Sequence, residues 1–468
     1  MVVTSAATLA RVAGGQVAAG DPGAMAGTAV IDSREVASGC AFFAIPGERS
    51  DGHEFVGTAL TGGARIVVVS RADEGVRDVF AAAGRRDSAL VLVEDTAAAL
   101  TALAVHNRSR LACPVIGITG SSGKTTTKDF LGSVLGTRMR VVATEGNRNN
   151  ELGVPLTVLR ADGACGAVVV EMAMRGRGQI AELCDIARPT LGLVTNIGTS
   201  HIELLGSQEE IASAKAELLE CLPPSGRAFL NADDDWSAQL AEHSTAPVTY
   251  YGLGERADVR AVDVRTAGNG CISFVLTAAG AEQPVSLSVP GRHNAYNAAA
   301  AAAVGLHLGL SLKEIARGLR SANCSPMRME VFETAGSFTV VNDAYNANPA
   351  SMRAAVATLR DMDADGRRIA VLGDMAELGS LTELAHFRLG EELAQGGVDL
   401  LVTVGPRARR IAEGARAAGF PAESISGADD AEGALPIVTA LVSSGDVVLV
   451  KGSRAMKMER IVEGLLGA

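Results

Sequence analysis

Short apolar runs alternate with stretches of helical spacing along most of the chain. Pro114 to Ile118 is apolar, rich in β-branched residues and bounded by glycine, which predicts a buried strand. After a polar turn, Phe130, Leu131, Val134 and Leu135 fall on one face of a helix. The same rhythm recurs on both sides. RIVVVS (65–70) and ALVLVE (89–94) predict two strands, the second followed by the helix TAAALTALAVHNRSR. VVAT (141–144), GAVVVEMAM (166–174) and the start of LGLVTNIGTSHIELLG (191–206) predict further strands, and QEEIASAKAELLECL (208–222) a helix. ISFVLTAAG and VSLSV form a β stretch before an alanine-rich helix at 294–310. Strands are expected again in FTVVNDAYNANPASMRAAVATL, RRIAVLGDMAELG, DLLVTVG and GDVVLVKGSRAMKMERIVEGLL. This alternation predicts an α/β protein with mostly parallel sheets.

At 468 residues the chain is too long for one core. Three domains are expected, over 1–108, 109–324 and 325–468. The first is small, with short strands. Aromatics make up only 3%, which suits α/β layers with small residues where helices meet sheets. A net charge of −11 argues against nucleic acid and against an anionic membrane as partners. No stretch suits membrane insertion, and the N-terminus lacks the pattern of a signal peptide. The seven scattered cysteines lack a Cys-x-x-Cys pair, which argues against structural zinc and for reduced thiols in a cytoplasm.

The candidate chemistry starts between the strand and the helix described first. Thr119-Gly120-Ser121-Ser122-Gly123-Lys124-Thr125-Thr126 is a glycine turn at a strand-to-helix junction. Such a turn lets backbone N–H groups close around phosphates, and the helix N-terminus adds partial positive charge. Lys124 would reach the terminal phosphates and the Thr125 hydroxyl would ligate Mg²⁺. The loop is compact: Ile118 stands six residues before Lys124, where the usual phosphate loop has glycine.

Other polar residues punctuate strand ends. Glu171 and His201 close strands downstream of the loop, as residues of a Mg²⁺ site would. His201 would act either through water or on a second ion. Lys215 alone reads as a surface lysine near Glu210 and Glu217, but it shares the apolar helix face of Ile211, Leu218 and Leu219, which weakens that reading. Asn147, Asn149 and Asn150 form a loop of donors and acceptors that would also suit a plain turn. Asn294 and Asn297, at i and i+3, could read a base or ribose, or could begin a helix. Asn348 suits an N-cap with Pro349 at the first helical position. Asp343, Asp374 and Lys451 fall at strand ends, on one rim if that sheet is parallel. In the first domain Ser33, Arg34 and the 47–53 loop stand out as polar points, or as solvated turns.

The motifs taken together resemble the Mur ligases. They are Thr119-Gly-x-x-Gly-Lys-Thr-Thr, Gly146-Asn-x-Asn-Asn-x-x-Gly-Val-Pro, Glu171-Met, Thr195-Asn-Ile-Gly-x-x-His201, Ala214-Lys215-x-Glu, Asn231-Ala-Asp, Pro290-Gly-x-His-Asn-x-x-Asn, Asp343-x-Tyr-Asn-Ala-Asn-Pro, Leu372-Gly-Asp-Met-x-Glu-Leu-Gly and Lys451-Gly-Ser-Arg. The resemblance covers nearly the whole chain. The Asp343 and Leu372 motifs point to the branch that adds D-alanyl-D-alanine. One segment departs from the pattern: Met172-Ala-Met-Arg-Gly-Arg-Gly-Gln stands where many members have Gly-Ala-Asn-His, leaving the roles of Arg175 and Arg177 open.

The resemblance implies an N-terminal domain for a UDP-sugar, a central ATPase and a C-terminal Rossmann-like domain. It implies a cytoplasmic enzyme, expected as a monomer, that joins D-alanyl-D-alanine to UDP-N-acetylmuramoyl-tripeptide through an acyl phosphate. ATP and Mg²⁺ are the implied cofactors. Lys124, Glu171, His201 and Lys215 would be catalytic, and Thr125, Glu171, His201 and Lys215 would hold metal. Lys215 matches a lysine that is carbamylated in the family. Thr119 to Thr126, Asn294, Asn297, Arg328 and Asp343 would bind ATP. Ser33, Arg34 and Gly47, with the 51–53 turn, would meet the UDP part. Asn147, Asn149 and Asn150 would face the sugar–peptide, and Asn346 and Asn348 the peptide or dipeptide. Folylpolyglutamate synthase-like ligation is the nearest alternative on this scaffold. A nucleotide-binding switch that hydrolyses ATP without ligation is a rival of a different class. Whether the third peptide residue is diaminopimelate or lysine stays open.

Overall fold

The computed structural model describes residues 4–47 and 50–467. Glu48 and Arg49, inside the polar loop 47–53, lie outside the described residues. Three α/β domains are built around three large sheets. The N-terminal sheet has five strands in the order Gln16–Gly20, Ala89–Leu92, Ile66–Val69, Cys40–Phe43 and Thr28–Val30. Only its first pair is antiparallel.

The central sheet has nine strands, ordered Ala281–Pro290, Cys271–Ala278, Val259–Thr266, Val248–Gly252, Arg227–Asn231, Leu191–Val194, Val115–Thr119, Ala167–Glu171 and Val141–Ala143. Those from Val141–Ala143 through Val259–Thr266 run parallel, and an antiparallel hairpin closes the far edge. The difference is visible in the residues. Val115–Thr119 and Ala167–Glu171 are buried at every position, because helices cover both faces of a parallel sheet. Val259–Thr266 instead alternates toward exposure, as an antiparallel strand with one wet face does.

The C-terminal sheet has six strands, ordered Glu330–Glu333, Thr339–Asn342, Val447–Lys451, Arg368–Gly373, Leu400–Val404 and Ile425–Ala428, antiparallel only at the first pair. Asp343, Asp374 and Lys451 therefore do share one carboxyl rim.

Apolar packing is continuous between sheets. Leu100 and Leu103 belong to the same cluster as Val168 and Leu218, on one face of the central sheet. Phe130, Val134 and the buried run Ala298–Ala303 share a cluster with Leu372 of the C-terminal sheet and Met352 of the helix Pro349–Asp361. Arg108, at the end of the helix Thr96–Arg108, donates to the Ala187, Leu111 and Arg188 carbonyls at 2.7, 3.0 and 2.9 Å. Asn294–His307 is a helix of small residues, which lets it lie close to the helix Lys124–Gly136. It stops short of the expected Leu310. Among the described residues no helix is long and apolar enough to cross a membrane.

Candidate active site

The site lies at the carboxyl edge of the central parallel strands, where an α/β sheet leaves its crevice. The turn after Val115–Thr119 leads into the helix Lys124–Gly136, whose N-cap Gly123 has φ 80°. Gly120 has φ 144°, and a Cβ there would lie 1.8 Å from Thr195 Oγ1. That contact accounts for glycine at 120 in a loop that lacks one at 118. Asn196 braces the turn: its carbonyl accepts from Ser121 N at 3.0 Å and its Oδ1 from Ser122 N at 3.0 Å. Lys124 Nζ donates to Gly120 O at 2.6 Å. Desolvation pulls the Lys124 ammonium below its ordinary range, and Glu171 opposes that shift.

Two clefts open from this loop. The larger, about 610 Å³, is lined by Lys124, Thr125, Glu171, His201 and, from the C-terminal side, Asn346 and Asn348. The smaller, about 260 Å³, is lined by Gly123, Thr126, Asn294, Asn297, Asp343 and Lys451. Arg328 borders both. Its guanidinium stacks 4.0 Å from the Tyr345 ring centroid, with Nη2 3.4 Å from Thr125 Oγ1. The C-terminal segment thus reaches the phosphate loop directly.

Glu171 is 2% exposed. Its Oε1 accepts from Asn149 Nδ2 at 2.8 Å, while Oε2 is buried without a partner. An orphaned carboxylate oxygen is costly unless a cation meets it. With the Thr125 hydroxyl nearby in the same cleft, this donor set fits a hard divalent ion such as Mg²⁺.

Lys215 is also 2% exposed, on the helix Gln208–Glu220. Gly117 seats that helix: a Cβ there would meet Leu218 Cδ1 at 2.7 Å. No carboxylate or carbonyl pairs with the Lys215 amine among the described residues. Burial pushes it well below the usual ammonium range, and Lys124 adds to the effect. Burial therefore disfavours the charged form of this amine.

Several expected residues are placed differently from their simplest reading. Asn294 and Asn297 are buried and spend their amides internally. Asn294 Nδ2 donates to Pro290 O at 2.7 Å, and Asn297 Nδ2 donates to Asn294 Oδ1 at 2.9 Å. Asn297 Oδ1 accepts from Thr127 Oγ1 at 3.2 Å. They shape the smaller cleft more than they present donors to it. Asn149 supports Glu171, and Asn150 caps Gly153 N at 3.0 Å, so only Asn147 of the three is left without such a role. Asn348 is the expected N-cap, accepting from Ser351 N at 2.8 Å, and it also donates to Ser200 Oγ at 2.8 Å. Asp343 Oδ2 is paired with Lys451 Nζ at 2.5 Å, and burial pulls that lysine down.

Ser33, Arg34 and Gly47 line neither cleft. Arg34 forks onto Asp32, with Nε–Oδ1 at 2.9 Å and Nη2–Oδ2 at 2.6 Å, which holds the Asp32 carboxyl down at about 2. Asp51 caps the next turn through His53 N, and His53 Nε2 accepts from Ser70 N at 3.0 Å. His53 thereby ties the 51–53 turn to the end of the strand Ile66–Val69, whereas the Arg34–Asp32 pair stays local to its own turn.

Three residues with no role drawn from sequence also face the larger cleft. Tyr345 stacks on Arg328. Arg175 lines the wall, whereas Arg177 turns away to Glu210 at 3.2 Å. Glu377 lies 2.7 Å from His201 Nδ1, and that contact lowers its carboxyl below the usual range. Tyr345 and Glu377 sit inside motifs already notable for their asparagines and glycines, which was the available signal.

The chain matches three parts of one family: the Mur ligase family, catalytic domain over residues 29–108; the Mur ligase middle domain over 118–305; and the Mur ligase, glutamate ligase domain over 327–454. It is 37% identical over 435 residues to the UDP-N-acetylmuramoyl-tripeptide–D-alanyl-D-alanine ligase of Bacillus subtilis, covering 93% of this chain and 92% of the relative. The structure is similar to MurF from Acinetobacter baumannii, with a TM-score of 0.86, 32% identity and 100% of each chain covered. It is also similar to the MurF ligase of Thermotoga maritima solved in complex with ADP, with a TM-score of 0.77, 30% identity and 94% and 97% covered. With this architecture, this phosphate loop and likeness along nearly its whole length, the chain belongs to the Mur ligase family.

Proposed function

We propose that this ATP-dependent ligase joins D-alanyl-D-alanine to UDP-N-acetylmuramoyl-tripeptide, forming the pentapeptide precursor of peptidoglycan. The observation that carries this is the convergence of Lys124, Thr125, Glu171 and Arg328 on one cleft, in a chain 37% identical over 93% of its length to a ligase of that name. Residues 1–108 would hold the UDP-sugar, 109–324 the ATP and 325–468 the closing ligase domain. Nucleotide-linked substrates place the work in the cytoplasm.

Two bond exchanges follow. A carboxylate oxygen of the tripeptide bonds to the γ-phosphorus of ATP while the bond to the β-bridging oxygen breaks and ADP leaves. The dipeptide amine then attacks the acyl carbon, the C–O bond to phosphate breaks, and the amine's extra proton is lost. A carboxylate is already a nucleophile, so the first step needs alignment and charge neutralisation more than a base. Lys124 and the loop N–H groups hold the β- and γ-phosphates. Arg328, pinned by Tyr345, adds positive charge from the C-terminal side. Asp343, held by Lys451, would meet the ribose, and Asn294 and Asn297 would shape the adjoining wall for the base. Thr125 and Glu171 would hold Mg²⁺, which supplies charge neutralisation on the phosphates, and His201 would serve a second such ion. Lys215 suits carbamylation: burial favours its uncharged form, which would add to CO₂, lose a proton and become an anion able to help hold that ion. Ser33, Arg34 and Gly47 are assigned to the UDP part, Asn147 to the sugar–peptide with Asn149 and Asn150 shaping its loop, and Asn346 and Asn348 to the dipeptide.

Product analysis tests the substrate assignment. ATP, UDP-muramoyl-tripeptide and D-alanyl-D-alanine should give a product heavier by one dipeptide residue pair, and folate with glutamate should give none. Turnover of folate without turnover of the tripeptide would overturn it.

A further inference from the structure

His201 and Glu377 meet across the seam between the central and C-terminal sheets. His201 precedes the short helix Ile202–Leu205 with φ 65°. Glu377, in the loop after the strand Arg368–Gly373, has φ 62°. A residue other than glycine persists in the left-handed region only when its surroundings over-determine it. Here two such residues face each other. The Glu377 loop is pinned on its own side: Met375 N donates to His386 Nε2 at 2.9 Å, Ala376 N donates to Ser453 Oγ at 2.8 Å, and Asp374 Oδ1 accepts from Ala408 N at 2.7 Å. Across the seam the approach is close. A Cβ on Gly379 would lie 3.1 Å from Glu203 Cα, and Asn348 bonds Ser200 next to His201. His201 Nδ1 is 2.7 Å from Glu377 Oε2, a close approach that does not have the geometry of a hydrogen bond, so the buried Nδ1 is left without a hydrogen-bond partner. Such contacts commonly straighten when substrate arrives.

We propose that Glu377 is a positioning residue for the transfer reaction: it holds His201 through Nδ1 and so presents Nε2 to the larger cleft. Nε2 has no partner among the described residues. A carboxylate behind a histidine fixes both the tautomer and the ring orientation. Because the carboxylate arrives from the C-terminal sheet, the ring is fixed only while the two sheets are docked. The cleft wall is thereby completed by the same contact that orients the histidine. This inference rests on the assignment of His201 to the phosphoryl-transfer site.

The test compares the full-length wild type with Glu377→Gln, His201→Asn and the double variant. Glu377→Gln should lower kcat about 10–100-fold, with KM for ATP little changed. In the His201→Asn background the same substitution should change kcat by less than about twofold. Nitrogen-15 spectra of labelled histidine should show the His201 ring moving to a different tautomer balance in Glu377→Gln. Wild-type kcat in Glu377→Gln, full multiplication of the two effects, or unchanged His201 ring signals would each overturn the inference. An inactive His201→Asn beside a fully active Glu377→Gln would overturn it alone. Wild-type turnover in His201→Asn would instead bring down the assignment beneath it.

Discussion

Lys124→Ala should abolish ligation while leaving the fold intact. The lysine starts the helix Lys124–Gly136 and makes one side-chain hydrogen bond, to Gly120 O within its own loop. Alanine is at least as good a helix former, so little stability depends on this side chain. Its chemical role is different. The transferring phosphoryl group must be neutralised by preorganised charge, and removing one such donor costs roughly 10²–10³ in rate. Lys124 is the loop's own cation, so the loss should reach at least that size. Ligation rate and melting temperature measured on the same preparation check this. Undiminished turnover, or loss of activity explained by unfolding, would count against the role given to the loop.

Lys215→Ala should separate activity from stability even more sharply. The amine is buried without a counter-charge, so the fold bears a desolvation cost for it. Removing it relieves that cost and leaves a small cavity, and these effects oppose one another. Melting should therefore change little. Activity should fall severely, because an anion built on this lysine is assigned to the ion beside the transferring phosphate. A short carboxylic acid such as acetate or formate should enter the vacated space and restore part of the rate. Full activity in the variant without any added acid would rule out the carbamate.

Much of this arrangement could be read along the chain because its signals are local. Parallel strands covered on both faces appear as unbroken apolar runs, so Val115–Thr119 was legible within a residue, and Ala167–Glu171 was legible at its start while the expected run to 174 overshot its end by three. The Gly-Lys-Thr turn sits between a strand and a helix, and the apolar i−4, i+3 and i+4 neighbours of Lys215, which the structure shows to be buried, already weaken its reading as a surface lysine. What was not legible depends on partners distant in sequence. Asn149 is a loop asparagine until Glu171 is placed beside it. Asn294 and Asn297 look ready for a base until Pro290 O and Thr127 claim their amides. Arg34 looks free until Asp32 is seen to fork onto it. His201 and Glu377 lie on different sheets, and no periodicity links them. Only the glycines around the Glu377 loop hinted at a backbone built to present a side chain.

The central claim is that ATP cleavage here is coupled to joining an acyl acceptor and an amine. Phosphate release with ATP and Mg²⁺ tests it most directly, omitting UDP-muramoyl-tripeptide and D-alanyl-D-alanine in turn. Release that requires both substrates is the predicted result. Release that continues when either is withheld would contradict the account and would favour an ATP-hydrolysing switch or a ligase for other substrates.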